Sequence, residues 1–186
     1  MNLVGTKEIE TERLLLRKIK TSDYLAAYNN WCSNPNVSLY LPWDVHKDME
    51  ETHDLFKMWE EDYIKDDVFR WIVEVKDTHT VIGTIDVVGV DLKAEVCEVG
   101  YCYSEEYWHK GYASEALKAV IDYLFSVVDC YLVCAKHYSL NPNSGLVMKN
   151  CGMKKDGVLR DRVVDSLGNR SCLVCYSITK DEYMRG

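Results

Sequence analysis

Residues 98–117, with the sequence EVGYCYSEEYWHKGYASEAL, predict a strand, a short loop and the start of a long helix. From Gly111 to Val128, apolar residues recur three and four positions apart, a pattern typical of an amphipathic helix. The first amides of such a helix lack partners within it and lie at the positive end of its dipole. Small residues at 111 and 113 leave room there for an anionic group such as a diphosphate, to which Lys110 adds a positive charge.

This loop also fits an ordinary turn into a helix, since the phosphate-loop patterns GxxxxGK[ST] and GxGxxG are both absent. The remaining chain shows β-rich runs and helical periodicity without a linker or a repeat. Seven strands are predicted at 14–17, 69–75, 81–90, 95–103, 131–137, 153–165 and 171–179. Four helices are predicted at 24–31, 48–66, 111–128 and 143–150. This order favours a single mixed α/β (α+β) domain over residues 1–186.

Four stretches resemble, in the same order, the GNAT superfamily of N-acetyltransferases. Within it they are closest to the RimJ/RimL-type branch of ribosomal-protein N-terminal acetyltransferases. The segment 108–117 is similar to the acetyl-CoA loop, whose pattern is Q/R-x-x-G-x-G/A. The others are 10–17 (ETERLLLR), 98–101 (EVGY), and 141–144 (NPNS) followed by 149–153 (KNCGM). Two positions depart from the pattern: Trp108 replaces glutamine or arginine, and His109 stands where the branch often has glycine.

The resemblance implies the GNAT fold and a set of ligand contacts. Its central sheet is mixed and mostly antiparallel, here of about seven strands, splayed in the middle and flanked by about four helices. The strands at 95–103 and 131–137 are expected to diverge, with a bulge at Gly100, so that the pantetheine arm of acetyl-CoA enters between them. The implied acetyl-CoA contacts are Cys102, Tyr103 and Asn141 at the pantetheine arm, and His109, Lys110, Gly111, Tyr112, Ala113 and Ser114 at the diphosphate.

The implied reaction is direct attack of a primary amine on the thioester in a ternary complex. A lysine-like amine has a pKa of about 10.4, so only about 10⁻³ of it is neutral at pH 7 and a base is useful. Glu98 is the candidate base, because many GNAT enzymes carry an acid at this strand position; the alternative is a structural carboxylate.

The leaving thiolate needs a stabilising group as well. Met148 stands where many GNAT enzymes have a proton-donating tyrosine. Ser144 is therefore the candidate for hydrogen bonding the thiolate, the role that the resemblance assigns to a serine at this place. The alternative for Ser144 is a cap of the predicted helix at 143–150.

The charge of the chain limits its partners. With 22 basic and 30 acidic residues the net charge is −8, which argues against nucleic-acid binding. Residues 44–67 hold ten acids and three lysines, nearly the whole excess. This segment is either a solvated helix face or a surface that attracts a cationic acceptor amine.

No signal peptide or membrane span is predicted, which favours a cytoplasmic protein. The eight cysteines are expected to be reduced and no metal site is expected, since Cys172 and Cys175 should point to opposite faces of one strand. A monomer or a homodimer is expected. Two other functions stay open: a non-catalytic acyl-CoA-binding module, and an acyltransferase that uses a longer donor such as succinyl-CoA.

Overall fold

The computed structural model describes residues 1–185, which form one eight-stranded sheet with helices on both faces. The strands are β1 (Ile9–Glu10), β2 (Leu14–Arg17), β3 (Arg70–Val75), β4 (Thr80–Asp91), β5 (Val96–Tyr103), β6 (Leu132–Tyr138), β7 (Lys154–Val164) and β8 (Arg170–Thr179). Their order is β1-β2-β3-β4-β5-β6-β8-β7, and every neighbouring pair is antiparallel except β5 with β6. The predicted mixed sheet is confirmed; β1 was missed because two residues show no periodic pattern.

The helices are α1 (Tyr24–Ala27), α2 (Pro35–Ser38), α3 (Met49–Asp62), α4 (Tyr112–Ser126), α5 (Pro142–Asn150) and α6 (Lys180–Tyr183). Four of them correspond to the predicted helices. The first continues from α1 into a π-helical turn over Tyr28–Cys32. The unpredicted α2 and α6 are single turns, too short for an amphipathic pattern.

Alternate side chains of β5 face the two helical layers, one on each side of the sheet. Cys97, Val99 and Tyr103 belong to the larger core, which α4 and α5 close from one side. Cys102 packs against the smaller core, which lies beneath α1 and α3 on the other side. Glu98 shares the Cys102 face, because side chains on a strand alternate between faces.

The two halves of the sheet separate between β5 and β6. The strands pair in parallel only from Val96–Glu98 to 132–134. Beyond Glu98, β5 continues along β4 to Tyr103, whereas β6 continues along β8 to Tyr138. The predicted splay is therefore present, and it opens towards the end of β5 that leads into α4.

The irregularity beside this opening lies on β4 rather than at Gly100. β4 and β5 shift register between Val87 and Gly89, which leaves Val88 as an extra residue in β4. A Cβ on Gly100 would lie 2.9 Å from Cγ1 of Val88. The expected bulge at Gly100 is thus wrong: the glycine makes room for a bulge on the neighbouring strand.

Candidate active site

The loop before α4 presents a run of unpaired backbone amides. Among the described residues, no amide from 109 to 114 donates a hydrogen bond, and the first that does is Glu115, to the Gly111 carbonyl at 3.0 Å. His109 has φ 59° and Gly111 has φ 83°, so both adopt the left-handed conformation that favours glycine. These amides and the positive end of α4 together suit a diphosphate.

Arg13 anchors this loop, a contact that the sequence analysis did not assign. Its Nη1 donates to the Lys110 carbonyl at 3.0 Å, and its Nε lies 2.6 Å from Oε2 of Glu115. Its guanidinium lies over the Tyr112 ring, 4.3 Å from the centroid. Burial raises the pKa of Glu115, but hydrogen bonds from Thr11 and Arg13 outweigh it and lower the pKa overall. The stretch before β2 therefore holds the first turn of α4 in place.

The free backbone edge of β5 belongs to Tyr101 and Tyr103. The Ser104 amide donates to a carbonyl of β4 at 2.8 Å. Because an antiparallel ladder alternates, the backbone groups of Cys102 also point towards β4, and those of Tyr101 and Tyr103 point away from it. The backbone of Cys102, expected at the pantetheine arm, is thus used within the sheet, whereas Tyr103 faces the opening.

The Tyr103 side chain has an unmade hydrogen bond. Its hydroxyl is buried and has no partner among residues 1–185. Burial raises its pKa well above the ordinary value. Buried polar groups are normally paired, so this hydroxyl and the free amides of the loop fit a bound polar ligand better than an empty groove.

Ser144 and Asn141 meet at the start of α5. Oδ1 of Asn141 accepts from the Ser144 amide at 3.4 Å, which makes Asn141 the cap and corrects the alternative that Ser144 caps this helix. Ser144 Oγ instead donates to the Tyr101 hydroxyl at 3.1 Å, and that hydroxyl donates to the Ser144 carbonyl at 3.0 Å. Burial raises the pKa of Tyr101. Met148 is buried in the larger core.

Glu98 lies at the last paired position before the strands diverge, opposite Cys134. Its Oε2 accepts a hydrogen bond from Nζ of Lys136 at 2.6 Å, whereas Oε1 has no partner among the described residues. This hydrogen bond raises the pKa of Lys136. The carboxylate is 30% exposed, so a solute on the Cys102 face of the sheet can reach it.

The segment 39–43 covers the same face from the side of α2. The ring of Tyr40 packs edge-on against Tyr138 at the end of β6, with centroids 6.2 Å apart. The Leu39 carbonyl accepts from the Ser166 amide in the β7–β8 turn at 3.2 Å. Aromatic side chains therefore border the opening where an acceptor would enter.

The acidic segment 44–67 is partly structural. Five of its ten acids make polar contacts: Asp48, Glu51, Asp54, Glu60 and Asp62. The other five are exposed. This exposure is compatible with both interpretations considered for the segment, a solvated helix face and a surface that attracts a cationic amine.

Residues 1–185 contain no cluster of three or more His, Cys, Asp or Glu side chains placed to hold a metal ion. No helix in that range is long and apolar enough to cross a membrane. All eight cysteines are unpaired.

Comparison with known proteins fits this geometry. The family model described as Acetyltransferase (GNAT) domain matches residues 13–154, which include Glu98, the loop before α4 and Ser144. The chain belongs to the GNAT acetyltransferase family. This GNAT protein is 31% identical, over 173 residues, to the "Uncharacterized N-acetyltransferase p20" of Bacillus licheniformis; the match covers 93% of this chain and 96% of that protein.

Two solved structures share the fold of this GNAT protein. The GNAT-family acetyltransferase from Bacillus anthracis aligns with a TM-score of 0.82 at 24% identity, over 94% of this chain and 99% of that one. The ribosomal-protein-S5-alanine acetyltransferase from Vibrio fischeri aligns with a TM-score of 0.82 at 23% identity, over 94% and 97%. The predicted GNAT fold and N-acetyltransferase class are confirmed.

Proposed function

We propose that this protein moves the acetyl group of acetyl-CoA to a cationic primary amine by direct attack in a ternary complex. One observation carries the proposal: β5 and β6 separate beyond Glu98. The free amides of 109–114 lie on one side of this opening, and the exposed Glu98 carboxylate lies on the other face of the sheet. A thioester that passes through this opening would meet an amine that approaches from the α3 side.

Acetyl-CoA would be held mainly by backbone groups. The amides of 109–114 would bind the diphosphate, in the loop that Arg13 anchors. The free edges of Tyr101 and Tyr103 would pair with the amides of the pantetheine arm as an added strand does. Asn141 would contact the same arm from the start of α5.

The chemistry needs two protons removed from the acceptor ammonium and the negative charge of the leaving thiolate stabilised. Glu98 would take a proton from the acceptor ammonium, directly or through water. The neutral nitrogen would then form a bond to the carbonyl carbon, and the carbon–sulfur bond would break. The second proton of the nitrogen would pass to the thiolate, which leaves as the thiol of CoA. Ser144, hydrogen-bonded to Tyr101, would donate a hydrogen bond to the leaving thiolate.

The acceptor class is either a protein N-terminal amine or a small amine. The likeness to an S5-alanine acetyltransferase supports the first, and the exposed acids of 44–67 support a cationic acceptor of either type. The reaction would take place in the cytoplasm, since eight unpaired cysteines fit a reducing compartment.

The decisive experiment measures free thiol released from acetyl-CoA in the presence of a panel of amines. The panel contains peptides that begin with alanine or serine, aliphatic diamines and lysine. We expect release with at least one cationic amine and an acetylated product by mass spectrometry. Binding of acetyl-CoA without release on any amine would favour the binding module, and faster turnover with succinyl-CoA would favour the longer donor.

A further inference from the structure

Asp86 on β4 is a largely buried carboxylate that the proposed chemistry does not use. Its side chain is only 22% exposed. The nearest basic atom, Nε of Arg70, is 3.6 Å from Oδ2, which is too long for a hydrogen bond. Among residues 1–185 no protein group donates a hydrogen bond to this carboxylate, which keeps some exposure to solvent.

Arg70 is an incomplete partner for Asp86. Its Nε and Nη1 are buried without a hydrogen bond, and Nη1 is 3.7 Å from Asp62 on α3. The guanidinium lies over the Trp59 ring at 4.6 Å and is thus shared between two carboxylates and an aromatic face. A buried ion pair that serves only stability needs its hydrogen bonds satisfied, and this one does not satisfy them.

The open side of Asp86 faces the strand that carries Glu98. Asp86 pairs with Gly100 on β5, and a Cβ on Gly100 would lie 3.9 Å from Oδ1 of Asp86. Glu98 follows two positions away on the same face of β5. Asp86 and Glu98 therefore share one face of the sheet at the level where β5 leaves β6, and the Val88 side chain lies against Gly100 between their registers.

We infer that Asp86 binds the ammonium group of the acceptor and positions it beside Glu98, which makes Asp86 a residue that selects cationic primary amines. Burial raises the pKa of Asp86 to about 6, an effect that Arg70 partly offsets. An ammonium beside the exposed part of Asp86 would donate to the oxygens that have no protein donor. The division of labour is then clear: Asp86 holds the amine, and Glu98 takes its proton.

This inference rests on the proposed acetyl transfer and is tested by Asp86→Asn in the full chain. We expect the acceptor KM to rise about 10- to 100-fold, the worth of a hydrogen bond to a charged group, while kcat and the Kd of acetyl-CoA stay within about threefold. Calorimetric binding of the amine to the enzyme–CoA complex should weaken by the same factor. Asp77→Asn, which removes an exposed carboxylate outside the acidic segment 44–67, should change neither quantity.

A second variant leaves the carboxylate in place. Gly100→Ala would place a methyl group 3.9 Å from Oδ1 of Asp86, and the exposed Val88 side chain would have to shift towards the amine to admit it. We expect it to weaken amine binding as well, so the idea stays testable if Asp86→Asn does not fold. An unchanged amine affinity in either folded variant would overturn the role of Asp86. A wild-type protein that acetylates no amine would instead refute the proposed function.

Discussion

The hydroxyl groups of Tyr101 and Ser144 lie 3.1 Å apart and join the two strands that the active-site opening separates. Tyr101 comes from β5, whereas Ser144 comes from the helix that follows β6. In the proposed reaction, both groups would lie beside the leaving thiolate. We expect Ser144→Ala and Tyr101→Phe each to lower kcat about 10- to 100-fold, and the double variant to lose little more, because the two groups act as one unit.

A double-mutant cycle on kcat measures this coupling. Acetyl-CoA affinity serves as the control, because neither substitution removes a backbone contact. Fully additive losses would show that Tyr101 and Ser144 act separately.

Glu98→Gln should lower kcat at least about tenfold and leave the Kd of acetyl-CoA unchanged, because the amide cannot accept the proton of the acceptor. Glutamine has nearly the same shape as glutamate, so the substitution should change the packing around position 98 little. Lys136→Ala is the matched comparison, because it removes the 2.6 Å hydrogen bond to Oε2 of Glu98 and leaves the carboxylate itself in place. Steady-state kinetics over several amines check both. Turnover of Glu98→Gln equal to wild type would take Glu98 out of the mechanism.

Gly111→Ala should weaken acetyl-CoA binding about tenfold or more. At φ 83° an alanine is strained, and its Cβ would lie 3.3 Å from Nη2 of Arg13. His109→Gly is the matched control: it keeps the left-handed conformation and every amide, so affinity should stay within about threefold. Calorimetric titration of both variants with CoA measures the two affinities. A loss of affinity in His109→Gly would show that the site needs the His109 side chain rather than the backbone alone.

Arg17→Leu should destabilise the fold by about 3–5 kcal/mol. Arg17 bonds Asp23 and Glu74 at 2.9 Å, and both carboxylates are nearly buried. Without the guanidinium, Asp23 would keep its charge with no cationic partner among residues 1–185, and Glu74 would keep only His79. Urea unfolding measures the loss, and Lys154→Ala, which breaks an exposed ion pair, should cost much less. Equal losses would contradict this assignment.

Amine binding should weaken as the pH falls through about 6. Asp86 has a raised pKa of about 6, so it is charged above that pH and increasingly neutral below it. The charged groups around it are Arg70 and Asp62 on one side, and Glu98 with Lys136 on the other. An alkylammonium stays protonated between pH 5 and 8, so a change in amine affinity over this range comes from titration of the protein. Calorimetry across that range should show the decline in wild type and not in Asp86→Asn.

Sequence patterns predicted most of the fold, because periodicity is a local property. The helix that begins at Tyr112 shows it over four turns, and the seven longer strands show it over shorter runs. The bulge at Val88 was assigned to the wrong strand, since a glycine indicates close approach without showing which partner approaches. The π-helical turn after Ala27 has no distinct signal at all.

The candidate site was predicted only where its residues are neighbours in sequence. The loop at 109–114 is continuous and carries its own motif. Arg13 reaches that loop from 97 residues away, and Tyr101 meets Ser144 from 43 residues away. Spacing along the chain cannot reveal such contacts, because they depend on how the sheet brings distant strands together.

The short parallel seam at the closed end of the opening has a mechanical consequence. Only three residue pairs, from 96–98 to 132–134, tie the N-terminal five strands to the C-terminal three within the sheet. An acetyl-CoA molecule bound beside these three pairs would contact both parts of the sheet. The two parts should therefore move relative to each other in the free protein and be held together in the complex. Each catalytic cycle would then stiffen and loosen the whole sheet once.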